Sequence, residues 1–221
     1  MLDKDVFDFL NLLKRNNNRE WFKQNKELHD QSKKKVLEFS QKLFEELKVE
    51  NNLDKSKVFR IYRDVRFSKN KTPYKNHFGI GFHRTKPQYR GGYYLHIEPE
   101  NSFLATGFWA PDKTDLYRIR KEIEQDHQYF SNIAESNQLI KSWNSMLGEQ
   151  LKTAPKGFDK NHPGIQYLRY KQFIFSQKIS NEQLQNPSFS QWIIKEFSII
   201  KPFLNYMGEV LTTDLNGEPL F

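Results

Sequence analysis

Two short runs in the middle of the chain decide its fold class, and they read HFGIGFH at residues 77–83 and GGYYLHIEP at residues 91–99. In both runs apolar residues alternate with polar or small ones, which is the period of a β-strand that has one face on a core. The run VFRIYRDVRF at residues 58–67 alternates in the same way, and residues 102–109 follow the turn at 99–101. Short connections between such runs favour an antiparallel meander.

Helical periodicity precedes these strands, over about residues 3–50. A first helix is predicted at residues 3–14 and a second, capped by Asn17, from there to about residue 49. The apolar stripe of the second helix begins at Leu28 and is interrupted only by Ser32.

The part after the strands, about residues 112–215, is mostly helical in pattern, including residues 128–152. It contains a loop with two Pro and two Gly at 153–164 and one further candidate strand at 173–179. We therefore expect an α+β fold, in which an antiparallel β-meander of about four to five strands is flanked by N-terminal and C-terminal helices. We expect a single domain over residues 1–221, with its strand-rich core at about 57–109.

Composition excludes several classes of protein. The 221 residues include no Cys, so there is no disulfide, thiolate metal site or cysteine nucleophile. The N-terminus lacks the pattern of a secretory signal, and no apolar run approaches the roughly 18 residues that a membrane span requires. We expect a cytoplasmic protein with no membrane partner.

The positive charge of the chain is concentrated in one segment, residues 54–90. The whole chain carries a net charge of +8, whereas this segment alone holds eleven Lys and Arg against two acids, a net +9. Such a local concentration favours an anionic partner more strongly than a basic isoelectric point alone. The alternative is an ordinary solvated basic face.

The strands and the charges together predict a ligand site on the polar face of the sheet. Arg suits an anion because its planar fork binds two oxygens at once, and the glycines at 79 and 81 would leave room for a ligand. In the alternative, Arg60 and Arg66 form structural salt bridges with helix carboxylates such as Glu20 or Glu27. The candidate ligand-binding residues are Arg60, Arg63, Arg66, Lys69, Lys71, Tyr74, Lys75 and Tyr94.

Three residues of the same face are candidates for catalysis. Asp64 would orient an arginine, and His77 or His96 would transfer protons, since histidine titrates near neutral pH. His77, His83 and His96, with Asp64 or Glu98, also offer the residue types of a transition-metal site. No short ligand motif supports such a site, so we expect no metal and no cofactor.

Four stretches resemble an uncharacterised bacterial and fungal family, the domain of unknown function 2461. They are NNNREWF (16–22), YRDVRFSKNKTPYK (62–75), GYYLHIEP (92–99) and DKNHP (159–163). The resemblance covers nearly the whole chain and implies a single α+β domain, but it implies no catalytic residue. At Asn70 the family commonly has Asp. The motif positions are Arg63, Asp64, Arg66, Phe67, Ser68, Lys69, Lys71, Thr72, Pro73, Tyr74 and Lys75.

These observations give three hypotheses of function. In the first, the basic face binds a small anionic ligand, of the phosphorylated kind, either as an enzyme or as a binding protein. In the second, the same segment binds nucleic acid, with Phe59, Tyr62, Phe67 and Tyr74 as stacking platforms. In the third, the basic face binds an acidic protein partner. The sequence names neither a reaction nor an oligomeric state.

Overall fold

The computed structural model of the chain describes residues 2–214 and 216–220, and over those residues it contains nine helices and five strands. The N-terminal helices are α1 (Lys4–Arg15), α2 (Arg19–Gln24) and α3 (Lys26–Asn51). The first four strands are β1 (Leu53–Val58), β2 (Phe78–Arg84), β3 (Gly92–Ile97) and β4 (Ser102–Phe108). The remaining elements are α4 (Lys113–Gln125), α5 (His127–Ala134), α6 (Asn137–Trp143), α7 (Ile165–Leu168), β5 (Phe173–Ile179), α8 (Asn181–Gln185) and α9 (Phe189–Val210).

The five strands form one open antiparallel sheet in the order β1-β2-β3-β4-β5. Neighbours in the sheet are also neighbours among the strands in sequence, so the sheet is a meander, and helices precede and follow it. The predicted α+β fold class is therefore confirmed, and so is the late strand at 173–179.

The chain forms two compact units. The first consists of Met1–Phe82, Tyr94–Leu104 and Lys178–Ile194, and the second of His83–Tyr93, Ala105–Gln177 and Lys195–Phe221. The prediction of a single domain stays a prediction.

In the first unit, the predicted helices form with two differences. The stripe of α1 and the later part of the stripe of α3 are buried, as expected. The predicted second helix is split at Asn25, whose side chain Nδ2 donates to the carbonyl of Trp21 at 2.9 Å. Within α3, Ser32 is buried whereas Leu28 is 40% exposed, so the core-facing stripe passes through the polar residue and leaves the leucine outside.

The prediction of a regular strand over residues 58–67 is wrong, because β1 ends at Val58. Residues 59–77 form a long irregular hairpin whose arms pair through scattered backbone bonds. The amide of Arg63 donates to the carbonyl of Pro73 at 2.9 Å, and that of Lys75 donates to Ile61 at 2.8 Å. Phe67, at the tip, is 96% exposed instead of facing a core.

Asn17 holds one arm of this hairpin in place. Its Oδ1 accepts the amide of Tyr74 at 3.1 Å, and its Nδ2 donates to the carbonyl of Tyr74 at 3.0 Å and to Oδ1 of Asn76 at 2.7 Å. The helix cap predicted for Asn17 belongs instead to Asn18, whose side chain accepts the amide of Trp21 at 2.9 Å. Asn17 is thus free to bind a segment 57 residues away in sequence.

In the second unit, the prediction of helix over 128–152 is wrong from residue 144 onwards. The amide of Leu147 donates to the carbonyl of Ile174 at 2.7 Å, and the carbonyl of Leu147 accepts the amide of Ile174 at 3.0 Å, so the segment pairs with β5. Gly148 and Gly107 both have positive φ. Each lies so close to the backbone of residues 172–174 that a Cβ would overlap it. A Cβ on Gly107 would overlap the carbonyl oxygen of Phe173 in β5.

No helix in the described part of the chain is both long enough and apolar enough to cross a membrane.

Candidate functional site

A polar cleft of about 450 Å³ lies in the first unit, where the irregular hairpin meets the end of β3. One arm of the hairpin contributes residues 63 and 64, the other contributes residues 75–77, and Glu98 follows β3 directly. The lining residues are Arg63, Asp64, Lys75, Asn76, His77 and Glu98. The cleft therefore joins cations, carboxylates and an imidazole from three separate stretches of sequence.

His96 lies beside the cleft and is fixed by its neighbours. Its ring contacts the ring of His77, with centroids 4.0 Å apart, and stacks on Phe103 at 4.5 Å with an interplanar angle of 13°. Its Nε2 lies 3.1 Å from Oε2 of Glu98, and its Nδ1 lies 3.1 Å from the hydroxyl of Tyr94. In the neutral ring, Nε2 donates to the carboxylate and Nδ1 accepts from the phenol. Because residues 94, 96 and 98 alternate along β3 and just beyond it, they share one face.

Burial keeps these groups uncharged. The pKa of His77 is lowered to about 3, first by desolvation and then by the charges of His96, Lys75 and Arg63. Desolvation also lowers the pKa of His96, although the hydrogen bond to Glu98 opposes it, and desolvation raises the pKa of Tyr94 to about 12. Both imidazoles are therefore neutral at pH 7. The predicted proton-transfer role of His77 or His96 stays a prediction.

The cations of the cleft are crowded. The pKa of Lys75 is lowered by desolvation and by the nearby charges of Arg60 and Arg63. Arg63 donates from Nη1 to the hydroxyl of Thr72 at 3.0 Å, which orients its guanidinium. Among residues 2–214 and 216–220, no carboxylate forms an ion pair with Arg60, Arg63 or Lys75.

Three predicted ligand-binding residues, Arg66, Lys69 and Lys71, do not line the cleft. Arg66 binds Asp64 through Nη2 at 2.6 Å and through Nε at 3.0 Å, and its side chain is 77% exposed at the hairpin tip. Lys69 is exposed, and Lys71 donates to the carbonyl of Val65 at 3.0 Å.

Two further predictions concern the salt bridges and Tyr74. Within the described residues, Arg60 and Arg66 pair with neither Glu20 nor Glu27, the helix carboxylates considered above.

Tyr74 is only 5% exposed and stacks on Phe22 with centroids 3.9 Å apart, so it packs in the core.

The prediction that Gly79 leaves room for a ligand is wrong, because the protein itself fills the space beside it. A Cβ on Gly79 would lie 2.5 Å from the hydroxyl oxygen and 2.9 Å from a ring carbon of Tyr94. The absence of a side chain at Gly79 therefore allows the Tyr94 phenol to reach His96.

We expect Gly79→Ala to lower the free energy of unfolding by about 1–3 kcal/mol, because the Tyr94 ring must move out of a packed position. Urea unfolding measures the change. Gly208→Ala is the matched control: Gly208 lies within α9, its Cβ would have only ordinary contacts from 3.4 Å, and alanine favours a helix. Equal effects of the two substitutions would contradict the close approach at Gly79.

Sequence reasoning missed two parts of the site. Asn76 carries no signal of its own, because it owes its place to the irregular hairpin and to Asn17. Glu98 was visible as the third residue of an alternating set with Tyr94 and His96 and as a possible metal ligand, yet it is not among the candidate binding or catalytic residues. The period of two along β3 was the signal that could have placed it in the site.

Comparison with known proteins gives one match. A family model described as a conserved hypothetical protein, DUF2461, matches residues 5–206. The search of curated proteins and the search of solved structures gave no match. The match covers most of the chain and confirms the resemblance seen in the sequence.

Proposed function

We propose a function for this chain, which belongs to the DUF2461 family of conserved hypothetical proteins: it binds a small anionic ligand in the polar cleft, through Arg63 and Lys75. The ligand is of the phosphate-ester class, since a planar guanidinium and a lysine ammonium together suit a phosphate group. The expected compartment remains the cytoplasm.

One observation carries the proposal: Arg63 and Lys75 line the same cleft, and among the described residues neither forms an ion pair with a carboxylate, since the two carboxylates of the lining are bonded to Arg66 and His96. Like charges held close together repel each other, and the repulsion is stronger where water is partly excluded. Both side chains are half-buried. A bound anion would remove this repulsion and would gain two charge-assisted hydrogen bonds.

The shape of the site favours a small ligand over a nucleic acid. A volume of about 450 Å³ lies within the range of small-molecule pockets. Of the four aromatic residues expected as stacking platforms, Tyr74 is buried and Phe59 is half-buried, while Tyr62 is 48% exposed but packs edge-on against Phe22 and Tyr74. Phe67 is fully exposed, but it lies at the hairpin tip and not in the cleft lining.

The test is the binding of inorganic phosphate, pyrophosphate and glycerol 3-phosphate, measured by calorimetry at low salt with EDTA present. We expect saturable binding of at least one probe by the unmodified protein. We expect the double variant Arg63→Ala/Lys75→Ala to bind at least about tenfold more weakly, because each charge-assisted hydrogen bond contributes on the order of 1.5–3 kcal/mol. Circular dichroism would verify that the variant is folded.

Lys69→Ala is the matched control, since Lys69 belongs to the same basic segment but is exposed and outside the cleft lining. It should bind as tightly as the unmodified protein. The proposal is wrong if no probe binds, or if the double variant keeps its affinity. It is equally wrong if only a single-stranded oligonucleotide binds, with a steep salt dependence and with Lys69→Ala as damaging as the cleft variant.

A further inference from the structure

We propose that His77, His96 and Glu98 form a binding site for one divalent transition-metal ion such as Zn²⁺, at the edge of the polar cleft. This proposal goes beyond the proposed function, because it concerns the imidazoles and Glu98 and does not depend on anion binding by Arg63 and Lys75.

The positions of the ligand atoms support the site. Each of the three residues offers one ligand atom, and these atoms lie within 4.8 Å of one another. Tetrahedral zinc with bonds of about 2.0–2.1 Å needs ligand atoms about 3.4 Å apart. Nε2 of His96 and Oε2 of Glu98 are already 3.1 Å apart. His77, the last residue of the irregular hairpin, is half-buried, and its ligand atom lies within 4.8 Å of the other two.

The surroundings of His96 are those of a metal ligand. The hydroxyl of Tyr94 is hydrogen-bonded to Nδ1 of His96, and the other ring nitrogen, Nε2, faces Glu98. On metal binding, the ring proton would move from Nε2 to Nδ1, so that Nε2 is free to bind the ion and Nδ1–H donates to the Tyr94 oxygen. Metal-bound histidines regularly have such a partner on the second nitrogen, which fixes the ring and its tautomer. Stacking on Phe103 also restricts the ring.

The types of ligand in the cluster agree with this geometry. Two nitrogens and one carboxylate oxygen suit zinc and related ions better than magnesium or calcium, which prefer oxygen ligands.

The cluster offers three protein ligands, which leaves one tetrahedral position open. That number is typical of catalytic zinc sites and not of structural ones, which use four protein ligands. His77 and Glu98 also line the cleft, so the open position is accessible from it. The cations Arg63 and Lys75 oppose a metal ion by their charge, and an anion in the cleft would offset this effect. We therefore expect phosphate to increase the metal affinity, and the metal to increase the phosphate affinity by the same factor.

No short motif marks these three residues. They come from the hairpin arm, from β3 and from the turn after it, which explains why the sequence analysis expects no metal. The sheet and the hairpin bring them together.

The test uses the full chain, stripped with EDTA, dialysed into a phosphate-free buffer and titrated with Co²⁺ and then Zn²⁺. We expect one equivalent of Co²⁺ to bind, with visible absorption bands of a four- or five-coordinate ion, and Zn²⁺ to displace it. His77→Ala and Glu98→Gln should each weaken binding at least about tenfold. Tyr94→Phe should weaken it by about tenfold or more while leaving the three ligands in place.

Two controls make the result decisive. His127→Ala removes a half-buried histidine of the second unit that packs edge-on against His162, and it should leave the titration unchanged. Arg63→Ala/Lys75→Ala should still bind the metal without phosphate, so that failure of the anion site and failure of the metal site are distinguishable. His96→Ala is avoided as the main variant because His96 is buried, and circular dichroism would verify the fold of the others.

The proposal is overturned if the unmodified protein takes up less than half an equivalent of Co²⁺. It is also overturned if folded His77→Ala and Glu98→Gln bind Co²⁺ as tightly as the unmodified protein, or if His127→Ala weakens binding as much as they do.

Discussion

Gly107→Ala is expected to lower the free energy of unfolding by about 4 kcal/mol, which is a large part of the roughly 5–15 kcal/mol by which folded proteins are stable. Gly107 lies near the end of β4 with φ of +119°, a backbone conformation that costs other residues on the order of 1–3 kcal/mol. In addition, a Cβ would overlap the carbonyl oxygen of Phe173 and would lie 3.1 Å from Cα of Ile174. Backbone atoms cannot move aside as a flexible side chain can, so β4 and β5 would have to separate locally.

Urea unfolding of the purified variant, or its yield in soluble form, measures this effect. Gly157→Ala separates the two causes, because Gly157 also has positive φ, of +88°, but nothing lies within 4 Å of its Cβ position. It should cost only about 1 kcal/mol, from backbone strain alone. If the two variants are equally stable, the close approach of β4 and β5 at Gly107 is not as described.

Asn17→Ala is expected to lower the free energy of unfolding by about 2–3 kcal/mol and to weaken anion binding in the cleft. Three hydrogen bonds from one side chain are lost, each contributing on the order of 1 kcal/mol, and the amide of Tyr74 is left without its partner. Because Lys75 and His77 directly follow this anchored point, the hairpin arm that bears them would lose its position. Hydrogen exchange at the Tyr74 amide should accelerate more than exchange in α3.

Asn18→Ala is the matched control for Asn17→Ala. It removes the cap of α2 and should cost about 1 kcal/mol, with no effect on the cleft. Phosphate binding and hydrogen exchange of the two variants, compared at equal temperature, distinguish general destabilisation from a displaced hairpin arm. The interpretation fails if Asn17→Ala keeps the protection of Tyr74 and the affinity for phosphate.

The regular parts of the fold were predictable because each follows from a local pattern. The alternation at residues 77–83 and 92–98 identified β2 and β3, and the helical spacing of Phe7, Leu10 and Leu13 identified α1. Prediction from local patterns failed where the structure of a segment depends on pairing with backbone that is distant in sequence. Residues 58–67 alternate like a strand, yet their partner arm at 73–79 offers only scattered hydrogen bonds, and so no regular ladder forms.

The candidate site was predictable in part for the same reason. Tyr94 and His96 share a strand face, and the sequence analysis selected both. Lys75 and His77 were selected for their residue types, but their meeting with Arg63 depends on the irregular hairpin. The assignment of Arg66 to the same group assumed a regular strand, and the hairpin instead carries Arg66 towards its exposed tip.

The contact between Asn17 and Tyr74 also has a consequence for how the protein folds. A hairpin alone, made by the chain from residue 53 to residue 84, would lack the bonds that position Lys75 and His77. Those bonds require the turn between the first two helices to dock, and closing a loop of this length slows a folding step in comparison with local pairing. Competence to bind ligand should therefore appear late during refolding, after most of the secondary structure has formed.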